Sequence, residues 1–234
     1  MNWLAPLFVL STLAAAPQEK EWAVHDMERP LPPRIEGAKA QEIPAPEGAT
    51  ILFDGKDLAQ WQHGDGSDAR WLVKDGYFQA QPGAGDLQTR VPLGDVHLHL
   101  EWRVPESEAD KTGQNCGNSG VFLMGKYEVQ VLETSTNRTY ADGMAGALYG
   151  QYPPLVNAGA GIGQWNSYDI YFQAPRFEKG ELTNPAWITV FYNGHVIHEH
   201  RAMLGITVHK ARAKYSPHGD QLPLKLQDHG EPTQ

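Results

Sequence analysis

"DVHLHLEWRV" (residues 95–104) alternates without a slip: Val96, Leu98, Leu100, Trp102 and Val104 fall on one side, and His97, His99, Glu101 and Arg103 on the other. Period two marks an extended strand, whose successive side chains point to opposite faces of a sheet, one toward a core and one toward water. A helix needs a period of 3.6, which no window of the chain sustains. "SYDIYFQAP" (167–175) alternates in the same way. Turn residues lie between such runs. "WLVKDGYFQAQPG" (71–83) and "ITVFYNGHVIHEH" (188–200) each read as a hairpin, with Asp75-Gly76 and Asn193-Gly194 supplying the positive φ angles of a two-residue type I′ loop. Many short strands with tight turns and no intervening helices imply antiparallel sheets. The expected fold is all-β, a two-sheet antiparallel jelly-roll sandwich.

With 234 residues, 41% of them hydrophobic, the chain is long enough for one large β domain around a single core. Its net charge of −9 and the lack of any Lys/Arg-rich run exclude nucleic acid and anionic membrane as expected partners, since both need a basic face. The expected partner is neutral, and no protein partner is evident. Seven Trp, nine Tyr and seven Phe supply flat apolar faces, which suit both cores and sugar rings. Cys116 is the one cysteine, so no internal disulfide forms and the core must hold the fold.

The N-terminus, "MNWLAPLFVLSTLAAAPQEK", is apolar from Trp3 to Ala16 and ends that run in Ala14-Ala15-Ala16. It reads as a secretory signal over residues 1–16, too short to span a bilayer, and implies a secreted or periplasmic protein. Residues 17–48 contain Pro30, Pro32, Pro33, Pro44 and Pro46 without periodicity and read as an extended arm. The globular domain is expected over 49–234. No repeat of fixed period is present, which excludes a propeller or solenoid.

Chemistry concentrates in "NSGVFLMGKYEVQVLETS" (118–135). Period two puts Tyr127, Val129 and Val131 on one face and Glu128 and Gln130 on the other. Burying an unpaired charge costs several kcal/mol, so these polar groups line either a solvated face or a site. Glu133 is out of phase, and one extra residue, a β-bulge, would return it to the face of Glu128. Further polar or aromatic groups lie in neighbouring segments: Asn118 and Ser119, Lys126 in the turn, Tyr149 in "GALYGQYPP", and Trp165-Asn166. In "LPLKLQDHG" (222–230), Asp228 and His229 precede a glycine, where an adjacent carboxylate can hold a His that works near neutral pH. In "HVIHEH", His198 and His200 share one face by period and read as a solvent-facing edge, as do His97 and His99.

The pattern Glu-x-Gln-x-x-Glu resembles the bulged Glu-x-Asp-x-x-Glu strand of concanavalin-like glucanases, with an amide in place of the central acid. In order along the chain, "ILFDGKDLAQW", "NSGVFLMGKYEVQVLE", "TYADGMAGALYGQYPPLVNA", "GQWNSYDIYFQAPRF", "ITVFYNGHVI" and "PLKLQDHG" resemble the 3-keto-disaccharide hydrolase domain family, and "WAVHDMERPLPP" is similar to an arm found in one branch of it. The resemblance spans residues 22–230. It implies a concanavalin A-like jelly roll of the lectin and glucanase type, residence outside the cytoplasm of a bacterium, and action on glycosides already oxidised at C3. Two departures stand out. Gly163-Gln164-Trp165 replaces the family's common Gly-Glu-Trp, and the final Arg-Asn strand is not found before Gln234, so the last strand is expected to be missing.

A ketone at C3 acidifies the C2 proton, so a base can form an enolate that expels the group on C1. Glu128 or His229 is the expected base, and Glu133 the acid or second carboxylate. Asn118, Lys126, Gln130, Asn166 and Asp228 are the expected binding groups, with Tyr149 and Trp165 as stacking surfaces. No cofactor is required. The alternative is a divalent ion on Glu128, Glu133 and His229, which would stabilise an enolate. The competing functions are a non-catalytic carbohydrate-binding module, an ordinary glucanase-like glycosidase, and an exported structural domain.

Overall fold

A computed structural model of the chain describes residues 21–41 and 43–234; the expected signal segment lies outside the described residues. The strands in chain order are β1 (Trp61–His63), β2 (Leu72–Lys74), β3 (Tyr77–Gln79), β4 (Leu87–Thr89), β5 (Val96–Trp102), β6 (Ser119–Leu123), β7 (Tyr127–Val131), β8 (Asn166–Gln173), β9 (Arg176–Glu178), β10 (Glu181–Asn184), β11 (Trp187–Tyr192), β12 (His195–Ala202), β13 (Thr207–Val208), β14 (Ala211–Arg212) and β15 (Lys225–Leu226). One sheet has the order β1-β4-β15-β6-β7 and another β12-β11-β8-β5; β2-β3, β9-β10 and β13-β14 form two-stranded ribbons. All strand pairs are antiparallel. Among the described residues the helical elements are three single 3₁₀ turns, and no helix is long and apolar enough to cross a membrane.

The strand that opened the sequence reading pairs along its whole length with β8, from Val96↔Phe172 to Trp102↔Asn166. Its apolar set turns inward: Leu98, Trp102 and Val104 are buried, as are Tyr168, Ile170 and Phe172 across the ladder. These side chains share one apolar cluster with Leu87, Val121, Leu123, Val129 and Val131 of the five-stranded sheet. Each such side chain contributes roughly 1.5–3 kcal/mol on burial, so the two sheets stabilise each other through this shared layer. A polar tie crosses the same layer, where Tyr168 Oη donates to the carbonyl of Gln130 at 2.8 Å.

The turns follow their sequence chemistry. Asp75 and Gly76 have φ of 50° and 81°, and Asn193 and Gly194 of 49° and 78°, the mirror-image turn that matches strand twist. The arm is pinned to the domain by backbone hydrogen bonds: Ile35 N–H donates to Asn157 O at 2.8 Å and Asn157 N–H to Pro33 O at 2.9 Å. Farther along, Gln41 N–H donates to Ser167 Oγ at 2.9 Å. At the other end, Arg103 and Gln234 exchange two backbone hydrogen bonds of 2.8 and 2.9 Å.

One expectation fails within β12. Val190 pairs with His198 but Ile188 with Arg201, so two residues of β12 oppose one of β11. That bulge reverses the side-chain phase. His198 is therefore buried, with Nε2 2.8 Å from Gly146 O, while His200 (φ 38°) is exposed and stacks on Trp187. The two histidines share neither a face nor a solvent-facing edge.

Candidate functional site

The β6–β7 hairpin runs in unbroken register from Ser119↔Val131 to Leu123↔Tyr127. Tyr127, Val129 and Val131 enter the core, which leaves Gly120, Phe122, Glu128 and Gln130 on the opposite face, with Lys225 of β15 paired beside Phe122. A free sheet face would be wet, yet Glu128 is only 4% exposed and Gln130 1%. Loops account for this. Gln130 N–H donates to Ala147 O at 3.0 Å and its carbonyl accepts from Gly146 N–H at 2.9 Å, while Glu128 N–H donates to Thr207 Oγ1 at 3.0 Å. Segments 139–152 and 205–209 thus close over the hairpin.

Glu128 lies across Gly120, where a Cβ would collide with Glu128 Oε1 and come within 2.7 Å of Phe122 Cε2. Burial pushes the Glu128 carboxyl up to about 8, with a smaller downward pull from Lys225 and a smaller upward push from Asp86. Lys225 does not neutralise it, because its Nζ is engaged by Asp86 Oδ2 at 2.8 Å while lying 4.2 Å over the Phe122 ring. Glu128 is thus a buried carboxyl without a cation of its own, the arrangement that turns a carboxyl into a proton-transfer group near neutral pH.

A second group of side chains adjoins it. Tyr140 Oη and Tyr149 Oη are 2.9 Å apart, and Tyr149 Oη is 3.4 Å from His209 Nδ1. His25, delivered by the N-terminal arm, stacks on Tyr140 at 3.9 Å and 19° and meets Tyr149 edge-on at 5.0 Å. Its backbone N–H donates to both carboxylate oxygens of Asp142, at 3.2 and 3.1 Å, and holds a left-handed φ of 62°. Its Nε2 is buried without a hydrogen-bond partner. Burial lowers the His25 pKa and raises those of both tyrosines, and the Glu128 charge adds to the upward push on Tyr140 and Tyr149. The tyrosines therefore remain O–H donors beside a carboxyl of raised pKa.

Of the residues singled out from sequence, the structure brings Glu128, Gln130, Asn118 and Tyr149 into one neighbourhood, places Asp228 at its margin with its N–H donating to Asp86 Oδ1 at 2.8 Å, and engages the rest elsewhere. Glu133 does not return to the face of Glu128. The ladder does slip beyond Val131, since Glu133 N–H donates to Cys116 O at 2.9 Å, but the extra residue lies on the opposing segment at Gly117, whose φ is 67°. The Glu133 carboxylate turns back to cap its own loop, accepting from Ser135 N–H at 2.5 Å, from the Ser135 hydroxyl and from Thr136 N–H at 3.3 Å. His229 is held by Glu231 at 3.0 Å rather than by its neighbour Asp228. Asp228 braces loops, accepting from Gly85 N–H at 2.8 Å and Gly230 N–H at 3.0 Å. Asn166 is spent on Ala160 N–H and Asn193 Nδ2, both at 2.9 Å. Trp165 lies against Tyr77 and under the Arg103 guanidinium, 4.6 Å away. Lys126 sits in the hairpin turn, its carbonyl accepting from Thr207 N–H. Among the described residues no group of three or more His, Cys, Asp or Glu could hold a metal ion, so the residues present do not fit the divalent ion considered above.

Sequence reasoning missed His25, Tyr140, His209, Lys225 and Asp86. Tyr140 and Lys225 stand inside segments already quoted, but their neighbours carry no spacing that marks them. His25 and Asp142 are 117 residues apart, a contact no local pattern encodes.

The family profile of the 3-keto-alpha-glucoside-1,2-lyase-like domain matches residues 48–234. A crystal structure from Parabacteroides distasonis ATCC 8503, described as a candidate glycosyl hydrolase, is similar with 42% identity and a TM-score of 0.78 over 81% of each chain. A second structure from that organism, described in the same words, has 19% identity and a TM-score of 0.54, covering 79% of this chain and 88% of its own; it speaks to fold alone. No curated protein matches the chain.

Proposed function

The chain belongs to the 3-keto-alpha-glucoside-1,2-lyase-like family, and on that premise we propose that it is a carbohydrate-active, glycosidase-type enzyme that cleaves 3-keto-glycosides by removing the C2 proton and expelling the group on C1. The observation that carries this reading is the buried Glu128 carboxyl, raised to about 8 by desolvation, beside the paired hydroxyls of Tyr140 and Tyr149. Elimination next to a ketone needs a strong base but no stabilised oxocarbenium ion. A carboxylate raised toward 8 is a stronger base than an ordinary one and suits proton transfer near neutral pH.

In this mechanism ionised Glu128 takes the C2 proton, and the electron pair moves into the C2–C3 bond as the C3 carbonyl becomes an enolate. One hydroxyl of the Tyr140–Tyr149 pair donates its proton to the other, and the hydroxyl left free to donate turns to that oxygen, a donor worth roughly 10²- to 10³-fold by analogy with oxyanion holes. The enolate collapses, the C1–O bond breaks, and Glu128 returns its proton to the departing oxygen. The enone left behind then adds water. His209 orients Tyr149. The single core shared by the two large sheets supports a jelly-roll sandwich as the frame, and the apolar run of residues 1–16 supports export.

The test is turnover of 3-keto-trehalose and 3-keto-glucosides beside their unoxidised parents. Only the 3-keto compounds should release the group on C1, and deuterium at C2 should slow that release. Equal turnover of both sets, without a C2 isotope effect, makes the protein an ordinary glycosidase. Binding of parent glycans with no turnover of either set makes it a carbohydrate-binding module.

A further inference from the structure

His25 has no part in the proton transfers assigned to Glu128, yet it sits against the hydroxyl pair that serves them. The Tyr140 ring is closely packed: a Cβ on Gly143 would collide with its Cε2, and the His25 imidazole lies along its face at 3.9 Å. The imidazole also meets Tyr149 edge-on at 5.0 Å and lies 5.9 Å from the His209 ring. Both tyrosines feel the Glu128 charge, so His25 borders the same pocket.

Two features of His25 are unfavourable in the folded chain. Its φ of 62° lies in the left-handed region, which Gly and Asn enter with less strain. Its Nε2 is shielded from solvent and has no hydrogen-bond partner among the described residues, although buried polar atoms are almost always paired. Fastening the arm explains neither. The backbone N–H that reaches Asp142 is available from any residue but proline. Arg212 already holds the segment, through Glu21 Oε1 at 3.1 Å and the Trp22 carbonyl at 2.9 Å. A phenyl ring would stack on Tyr140 as well and leave no nitrogen unsatisfied. Strain and an unmatched polar atom that bring no packing gain mark a functional position.

The chemistry of Nε2 selects its partner. Burial, aided by His209 and Lys210 and opposed by Asp142, lowers the His25 pKa, so the ring is neutral near physiological pH. A neutral imidazole carries its proton on one nitrogen, which makes Nε2 a donor in one tautomer and an acceptor in the other. A hydroxyl both donates and accepts and satisfies either tautomer, whereas a carbonyl or an ammonium group satisfies only one. Sugars present hydroxyls on most of their carbons.

We propose that the N-terminal arm completes the substrate site and that His25 Nε2 hydrogen-bonds a hydroxyl of the glycoside bound beside Tyr140 and Tyr149. Residue 25 lies outside the family match at 48–234, so the contact is one that the arm adds to the domain's own site. Nε2 is closed to water, as Glu128 is, and the parting of the loops that admits a sugar to Glu128 uncovers both. The inference rests on the proposed function, which supplies the ligand.

The test uses Glu128→Gln, which should hold a 3-keto substrate without consuming it. Its His25 ring nitrogens, assigned by their loss when His25→Phe is added, are followed by nitrogen NMR as 3-keto-trehalose is titrated in. The Nε2 resonance should shift along the saturation curve of the sugar. In the active enzyme, His25→Phe keeps a ring on Tyr140 and removes the nitrogen, so it should raise KM about 10-fold and leave kcat within about twofold. An Nε2 resonance that stays fixed while the sugar saturates the site overturns the proposal, whether or not His25→Phe folds, and leaves a buried water as the partner of that atom. A folded His25→Phe with wild-type KM and a changed melting temperature also overturns it and reduces His25 to a fastening of the arm. Failure of the function reads differently. With no turnover of 3-keto compounds, unoxidised trehalose that binds the wild type and shifts Nε2 upholds the contact in a carbohydrate-binding module, and glycosides that never bind sink both.

Discussion

The faces that the two large sheets turn away from the core carry similar residues and differ in what lies over them. On the four-stranded sheet, Asp169 is met by two imidazoles, His99 at 2.8 Å and His97 at 3.8 Å. Around it, His97 stacks on Tyr171 and His200 on Trp187, along an open groove of about 430 Å³ that none of the candidate site residues borders. On the five-stranded sheet, Glu128 is equally buried but is faced by an amide, while the nearby Lys225 is taken by Asp86. A carboxylate met by hydrogen-bonding side chains, as Asp169 is by His99, is a fastening. One that is desolvated without a counter-charge holds a proton ready for transfer. The groove is open to solvent, whereas Glu128 is enclosed, and it is desolvation that raises a carboxyl's proton affinity.

This contrast can be broken most sharply at Glu128. Replacing it with Gln should leave the fold intact and lower turnover of a 3-keto substrate by about 10³-fold, in the range of lost general acid–base catalysis. Wild-type turnover in that variant ends the catalytic reading of the hairpin. Gly120→Ala should cost about 10- to 100-fold, since the added methyl displaces the carboxyl and a shift of about 1 Å is enough for such losses. A crystal structure of the variant should show Glu128 moved and β6–β7 still in register.

Stability against pH separates the two kinds of buried group. Folded Glu128 titrates at about 8 against an ordinary 4.5, so between those values the folded chain keeps a proton that the unfolded chain has lost, and stability falls as pH rises. Glu128→Gln should then melt higher than wild type at pH 9, by an amount on the order of a few kcal/mol in stability, and equally at pH 4. Buried His198 has the opposite slope. Its pKa is lowered to about 4 by burial from an ordinary 6.5, so the unfolded chain takes up the proton first and stability is lost as pH drops through that window. His198→Gln should flatten the acid limb of the melting curve.

The smallest effect is expected at Asp169. Its change to Asn should cost about 1 kcal/mol or less, since the histidine partners lie near the surface, and should leave turnover within about twofold of wild type. A large loss of turnover there would erase the distinction between the two faces.

Strands and turns were legible because their causes are local. Alternation in residues 95–104 places Leu98 and Trp102 inside, and Asp75-Gly76 and Asn193-Gly194 adopt positive φ because those residue types tolerate it. Phase became illegible wherever a bulge intervened. Nothing in "HVIHEH" signals the slip that buries His198, and nothing near Glu133 shows that the extra residue belongs to the strand opposite.

By itself, then, the sequence determined an all-β, antiparallel chain and put Glu128 and Gln130 on one face of one strand, since side-chain period and turn chemistry act over a few residues. Only the tertiary structure decided that this face is dry, that Lys225 serves Asp86 instead of Glu128, and that His25 reaches Tyr140 from the arm. The reason is electrostatic as much as geometric. A carboxyl's proton affinity is set by everything that excludes water from it and every charge within several ångströms. Those groups arrive from segments far apart in the chain, which only the completed fold brings together.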